Sequence, residues 1–124
     1  MDVPFLHLKK HNLKFKKSFH DSLDVCLENG NFILGNELRT FEEEFAKYIN
    51  SNYALGVSNC HDGLSIILKS LGIGYGDEVI VPSNTFIATW LAVINVGAIP
   101  IPVEPDLETY NIDPFLIEKS ITKS

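Results

Sequence analysis

From residue 53 onward, short apolar stretches alternate with amphipathic ones at regular intervals, and this alternation narrows the possible folds more than any other feature of the chain. Residues 53–57 read as a short strand. Leu64, Ile67, Leu68 and Leu71 follow the i, i+3, i+4, i+7 spacing of one helix face, residues 78–81 form an apolar strand, residues 86–96 read as helical, and residues 99–103 are extended again. Strands joined by single helices pair in parallel through right-handed crossovers, because a two-residue hairpin cannot connect them. The expectation is therefore βαβαβ over residues 53–103, within an α/β sheet covered on both faces. The apolar run at 87–103 does not read as a membrane span. Asn95, Pro100 and Pro102 interrupt it, and it falls short of the ~20 residues a spanning helix needs. A buried helix, a turn at Gly97 and a buried strand account for it.

Upstream, Phe15, Phe19, Leu23 and Cys26 fall at helical spacing in a segment that looks irregular at both ends, and Gly30 supplies a C-terminal stop. A second helix near 37–50 sets Leu38, Phe41, Phe45, Tyr48 and Ile49 on one face. Glu42, Glu43, Glu44 and Lys47 lie on the other, read as a solvated surface. Asp113-Pro114 pairs an N-cap residue with proline at the first helical position, opening a last helix with Phe115, Leu116 and Ile117. The chain divides into an N-terminal arm and helix, residues 1–36, and the start of a larger α/β domain, residues 37–124, with no linker between them.

Charge and cysteine content exclude several function classes. Ten basic against 16 acidic side chains give a net charge of -6, which argues against nucleic acid as a partner; Lys9, Lys10, Lys14, Lys16 and Lys17 read as a solvated helix face. Cys26 and Cys60 cannot make a disulfide framework, and the first residues lack a signal peptide's basic start and apolar stretch, so a reducing cytoplasm is expected.

In open α/β sheets ligands collect at the carboxyl ends of strands. Two loops lie there: Ser58-Asn59-Cys60-His61-Asp62-Gly63 and Pro82-Ser83-Asn84-Thr85-Phe86. The first leads into a helix whose free N–H groups and positive dipole end could hold a phosphate. An ordinary capping turn, with Ser58, Asn59 or Asp62 as the cap, fits the same residues. The second loop sets Phe86 at the start of the next helix, as core or as cofactor contact. Gly72-Ile73-Gly74-Tyr75-Gly76-Asp77 follows a helix and precedes a strand, the reverse of a dinucleotide fingerprint, and is a C-cap and turn. Cys60 and His61 are sequence neighbours, which is not metal-ligand spacing, so no metal site is expected, nor a Cys-His nucleophile pair. His7, His11 and His20 read as surface residues.

Several blocks, taken in order, go beyond the generic case: Gly35-Asn36-Glu37 with Phe41-Glu42, Ala54-Leu55-Gly56-Val57-Ser58-Asn59, Gly76-Asp77-Glu78-Val79-Ile80-Val81-Pro82, Thr85-Phe86-Ile87-Ala88-Thr89, and Gly97-Ala98-Ile99-Pro100. Together they resemble the DegT/DnrJ/EryC1/StrS family, pyridoxal-phosphate (PLP)-dependent aminotransferases acting on nucleotide-linked keto sugars. Cys60-His61-Asp62-Gly63-Leu64, Ala88-Thr89-Trp90, Pro102-Val103-Glu104-Pro105 and Thr109-Tyr110-Asn111-Ile112-Asp113-Pro114 resemble the branch that aminates C3 of dTDP-3-keto-6-deoxyhexoses.

The resemblance implies the first part of the large domain of a fold-type-I PLP-dependent transferase, with glutamate as amino donor and a homodimer as the assembly. It further implies that Asn59, Cys60, His61 and Asp62 surround the cofactor phosphate, largely through backbone amides, and that Phe86 stacks on the pyridine ring. The chain departs from the common Ser-Gly-Thr or Asn-Gly-Thr form, so backbone N–H groups and the His61 ring stand where a threonine hydroxyl would. The family's cofactor-binding lysine, its pyridinium-binding aspartate and its small C-terminal domain match positions beyond Ser124. No catalytic residue is therefore expected in this segment, and alone it should be inactive. A PLP-dependent sugar dehydratase of the same family and a non-catalytic fragment are the rival expectations.

Overall fold

The computed structural model describes residues 3–122. The chain falls into two compact units, the first ending at Gly56 and the second beginning at Val57.

The first unit is helical among the described residues: α1 (Leu8–Asn12), a single 3-10 turn (Leu13–Phe15), α2 (Lys16–Asn29) and α3 (Asn36–Tyr48). Helix α2 ends as its sequence predicts, with Gly30 at φ +65° and its N–H donated to the Cys26 carbonyl. Helix α1 is not foreshadowed by the sequence pattern. His7 Nδ1 accepts the Lys10 N–H at 3.3 Å and caps it, a local bond that leaves no periodic apolar signature. Ala46 of α3 is buried, while Phe41 and Phe45 stack on each other at 5.6 Å and both remain exposed.

Glu42 departs from the solvated reading, because its carboxylate accepts the Gly56 N–H at 2.6 Å in a half-buried setting. A Cβ on Gly56 would lie 2.5 Å from Leu38 Cδ1, so a side chain at this position would require Leu38 to move. Residues 53–57, expected as the first strand, form no ladder among the described residues. A strand is defined by its neighbour, and here backbone donors turn to side chains instead, Tyr53 N–H to Ser51 Oγ at 3.4 Å and Gly56 N–H to Glu42. The expected βαβαβ is observed as a single βαβ.

The second unit contains α4 (Cys60–Ser70), β1 (Glu78–Pro82), α5 (Ile87–Asn95), β2 (Ile99–Val103) and α6 (Pro114–Ser120). Strands β1 and β2 pair in parallel, Glu78 opposite Ile99 and Pro82 opposite Val103, as the intervening helix predicts. Val81, Val93 and Ala98 form the buried core, and Leu68, Ile73, Val79, Trp90 and Val96 pack against it. Strand, crossover helix and the turn at Gly97 thus meet at one point. Gly97 has φ +86° and passes its N–H to Ile94 O, while Ala98 N–H reaches Val93 O, closing α5 before β2 begins. Asp113 caps α6 by accepting the Phe115 N–H at 2.8 Å, with Pro114 at the first helical position, as the sequence predicts.

Strand β2 has one further property. Ile99 N–H donates to Asp77 O and Val103 O accepts from Ser83 N–H, so positions 99, 101 and 103 bond toward β1. The intervening positions face the opposite edge, and both are proline, Pro100 and Pro102.

Candidate functional site: two helix N-termini

Asn59 resolves the choice among capping residues. Its backbone is extended, with φ -164° and ψ 169°, and its Oδ1 accepts the Asp62 N–H at 2.9 Å. The Asp62 carboxylate turns back to accept from Asn59 Nδ2 at 2.8 Å and from the Ser58 hydroxyl. A negative charge in the first turn also suits the positive end of the α4 dipole. The Ser58 hydroxyl lowers the Asp62 pKa below its ordinary 3.8, aided by the Asn59 amide and nearby His61 and opposed by partial desolvation. With the Asp62 N–H held by the cap and Gly63 N–H bonded to Asn59 O at 3.1 Å, the first two amides of α4 differ from the rest. Cys60 and His61 N–H have no acceptor among the described residues. Two adjacent amides at a helix N-terminus suit an anion.

The second loop is built differently. Phe86 takes the N-cap position of α5 with φ -63° and ψ 141°, and no side chain caps the helix. Its ring is 78% exposed. The sequence allows Phe86 as core or contact, and among the described residues its side chain is largely exposed. Around it the loop is fastened by polar contacts. Ser83 N–H donates to Val103 O at 2.8 Å, Ser83 Oγ to Glu104 at 2.9 Å, Asn84 Nδ2 to Tyr110 O at 3.1 Å, and the Thr85 and Thr89 hydroxyls meet at 3.0 Å. An exposed aromatic thus stands on a fixed loop at the carboxyl end of β1, where α/β sheets bind ligands.

His61 brings the two loops into one arrangement. Its ring leaves α4 and meets α5, Nδ1 at 3.1 Å from Ala88 O and Nε2 at 2.9 Å from Asn95 Nδ2. Cys60 is exposed. The five site residues therefore divide. Asn59 and Asp62 build the cap, Cys60 and His61 offer backbone donors, Phe86 presents its ring, and the His61 side chain is engaged with α5. Sequence reading missed Ala88 and Asn95, whose part in the site depends on a contact 27 and 34 residues from His61. It also missed Ser83 and Glu104, joined across 21 residues. No local pattern carries such pairs.

A model of the DegT/DnrJ/EryC1/StrS aminotransferase family matches residues 14–124. The chain is 48% identical over 120 residues to the dTDP-3-amino-3,6-dideoxy-alpha-D-galactopyranose transaminase of Aneurinibacillus thermoaerophilus, covering 97% of this chain and 33% of that protein. It is also 48% identical to the dTDP-3-amino-3,4,6-trideoxy-alpha-D-glucose transaminase of Streptomyces venezuelae, over 97% of this chain and 32% of that one. Among solved structures, S. venezuelae DesV matches with a TM-score of 0.94 at 47% identity, over 98% of this chain and 33% of that one. NtdA from Bacillus subtilis, solved with bound cofactor PMP, matches with a TM-score of 0.93 at 36% identity, over 98% and 28%. The chain spans about a third of the length of the curated relatives it matches, and over that third it has the α/β fold of these transferases.

Proposed function

Because this chain belongs to the DegT/DnrJ/EryC1/StrS aminotransferase family, we propose that it supplies the phosphate cradle and ring-stacking aromatic of a PLP-dependent enzyme that aminates a dTDP-linked 3-keto-6-deoxyhexose. Two relatives at 48% identity are transaminases of dTDP-linked 3-amino sugars, which supports this substrate class. Glutamate as amino donor, a homodimeric assembly and a cytoplasmic setting for deoxyamino-sugar biosynthesis belong to the same proposal.

The observation that carries the reading is the pairing of two unoccupied donors with an exposed ring. Cys60 and His61 N–H lack acceptors among the described residues, and Phe86 stands 78% exposed on a loop held by four hydrogen bonds. These residues fit a phosphorylated, planar cofactor. When bound, PLP would supply an electron sink for the bond-breaking step and a carrier for the amino group between donor and keto sugar. The chain's own residues bind and orient. The Cys60 and His61 amides would receive phosphate oxygens at the positive end of α4. Asn59 keeps the Asp62 N–H occupied, which would leave the first two amides for the phosphate. Phe86 would cover one face of the pyridine ring, and the Thr85–Thr89 contact holds the turn that carries it.

The test uses the full-length protein. Apoprotein titrated with PLP should bind, and the holoprotein should transfer an amino group from glutamate to a dTDP-3-keto-6-deoxyhexose. Phe86→Ala should weaken PLP binding about two- to tenfold, the equivalent of a stacking interaction of ~0.5–1.5 kcal/mol. The stacking role predicts an apo-state melting temperature near wild type for this variant. Unchanged PLP affinity with a large fall in apo-state melting temperature would overturn the stacking role.

A further inference from the structure

We propose that His61 is a positioning residue, its imidazole clipping α4 to α5 and so setting the separation between the phosphate-holding amides and Phe86. The inference rests on the cofactor reading above and assigns the ring a task distinct from phosphate contact. Both ring nitrogens are engaged. With the Asn95 amide nitrogen facing the ring at 2.9 Å, Nε2 must accept. The proton then resides on Nδ1, which donates to the Ala88 carbonyl at 3.1 Å. The two contacts require the same neutral tautomer, so each reinforces the other.

The clip reaches both ends of α5. Ala88 belongs to the turn that follows Phe86, and Asn95 is the last residue of the helix. Ala88, Ala92 and Asn95 recur at i, i+4 and i+7, and so share one face. Ala92 has 0% exposure; its small side chain suits the close approach of another helix there. On α4, His61 is also one of the two residues with a free amide. One residue thus offers its backbone to an anion while its side chain grips the helix that begins at the stacking aromatic. A threonine here would be too short to span to α5, so this chain's departure from the Ser-Gly-Thr form exchanges a hydroxyl at the cradle for a tether behind it.

Full-length apoprotein carrying His61→Leu, Asn95→Leu, both changes, or Asn95→Asp would be titrated with PLP, and apo-state melting recorded for each. Each leucine variant should weaken PLP binding roughly 3- to 10-fold, the equivalent of a neutral hydrogen bond. The double variant should lose little more than His61→Leu alone, because that change already removes both contacts. Asn95→Asp, whose carboxylate can accept from a protonated ring, should hold affinity within about twofold of wild type and keeps the test open if a leucine variant fails to fold. If Asn95→Leu binds PLP like wild type while His61→Leu does not, the Asn95 contact plays no part in cofactor binding and the two-contact clip is overturned. It is overturned equally if both variants lower apo-state melting and leave PLP affinity unchanged. Failure of wild-type apoprotein to bind PLP would bring down the cofactor reading and the clip together, a result distinct from the first two.

Discussion

The N-termini of α4 and α5 lie at the two loops the sequence singles out, the second of which follows a strand, yet they are held by opposite means. Helix α4 begins on a polar lattice of Ser58, Asn59 and Asp62, and none of its residues is fully buried. Helix α5 begins with no side-chain cap at all, but Ala92 and Val93 are buried, at 0% and 2% exposure. A helix end can be fixed by satisfying its amides or by burying the turns behind it. The first means satisfies some amides and leaves Cys60 and His61 N–H without an acceptor among the described residues. The second frees the cap position from polar duty, so an aromatic can occupy it.

If burial holds α5, the largest effect should come from its core. Ala92→Leu adds volume at a site with no exposed surface, and overpacking of this kind costs about 1–3 kcal/mol. Chemical denaturation of the full-length apoprotein would measure it, and a cost near zero would show that α5 is not fastened there.

The caps should respond next, and in opposite directions. Asn59→Ala removes the acceptor for Asp62 N–H and should cost about 0.5–2 kcal/mol. Phe86→Asn supplies a cap where none exists and should raise apo-state stability by a few tenths to about 1 kcal/mol while PLP affinity falls. A loss of stability at both positions would erase the contrast between the two helix ends.

The smallest effect concerns Asp62. Its folded-state pKa lies below 3.8, chiefly through the Ser58 hydroxyl, so its carboxylate stabilises the fold above that pH and the stabilisation is lost as pH falls through the lower folded value. Wild-type melting temperature should therefore decline below pH 3.8. Asp62→Asn, which keeps an acceptor for Ser58 and Asn59 but cannot titrate, should flatten that decline. Identical acid profiles would mean the carboxylate contributes nothing as a charge.

Much of this arrangement is legible in the amino-acid sequence. The paired strands β1 and β2, the crossover helix, the Gly30 stop and the Asp113-Pro114 start all follow from periodicity and cap chemistry, which operate within a few residues. Residues 53–57 show where that ends. Their apolar pattern fits a strand, but pairing depends on a neighbour elsewhere in the chain, and Glu42 takes the Gly56 N–H from 14 residues away. The site divides in the same way. Asn59, Asp62 and Phe86 stand out because a cap and a helix start are local, whereas the destination of the His61 ring does not, since α5 reaches it only through the fold.

Pro100 and Pro102 give the sheet a direction of growth. A strand that offers no N–H at two successive outward positions is a poor template for another. Strand β1 turns Glu78, Ile80 and Pro82 away from β2, and the first two carry an N–H. By this measure β1 is the better template for a further strand than β2. The same two residues that limit the sheet thus blunt its edge against pairing with another copy of the chain.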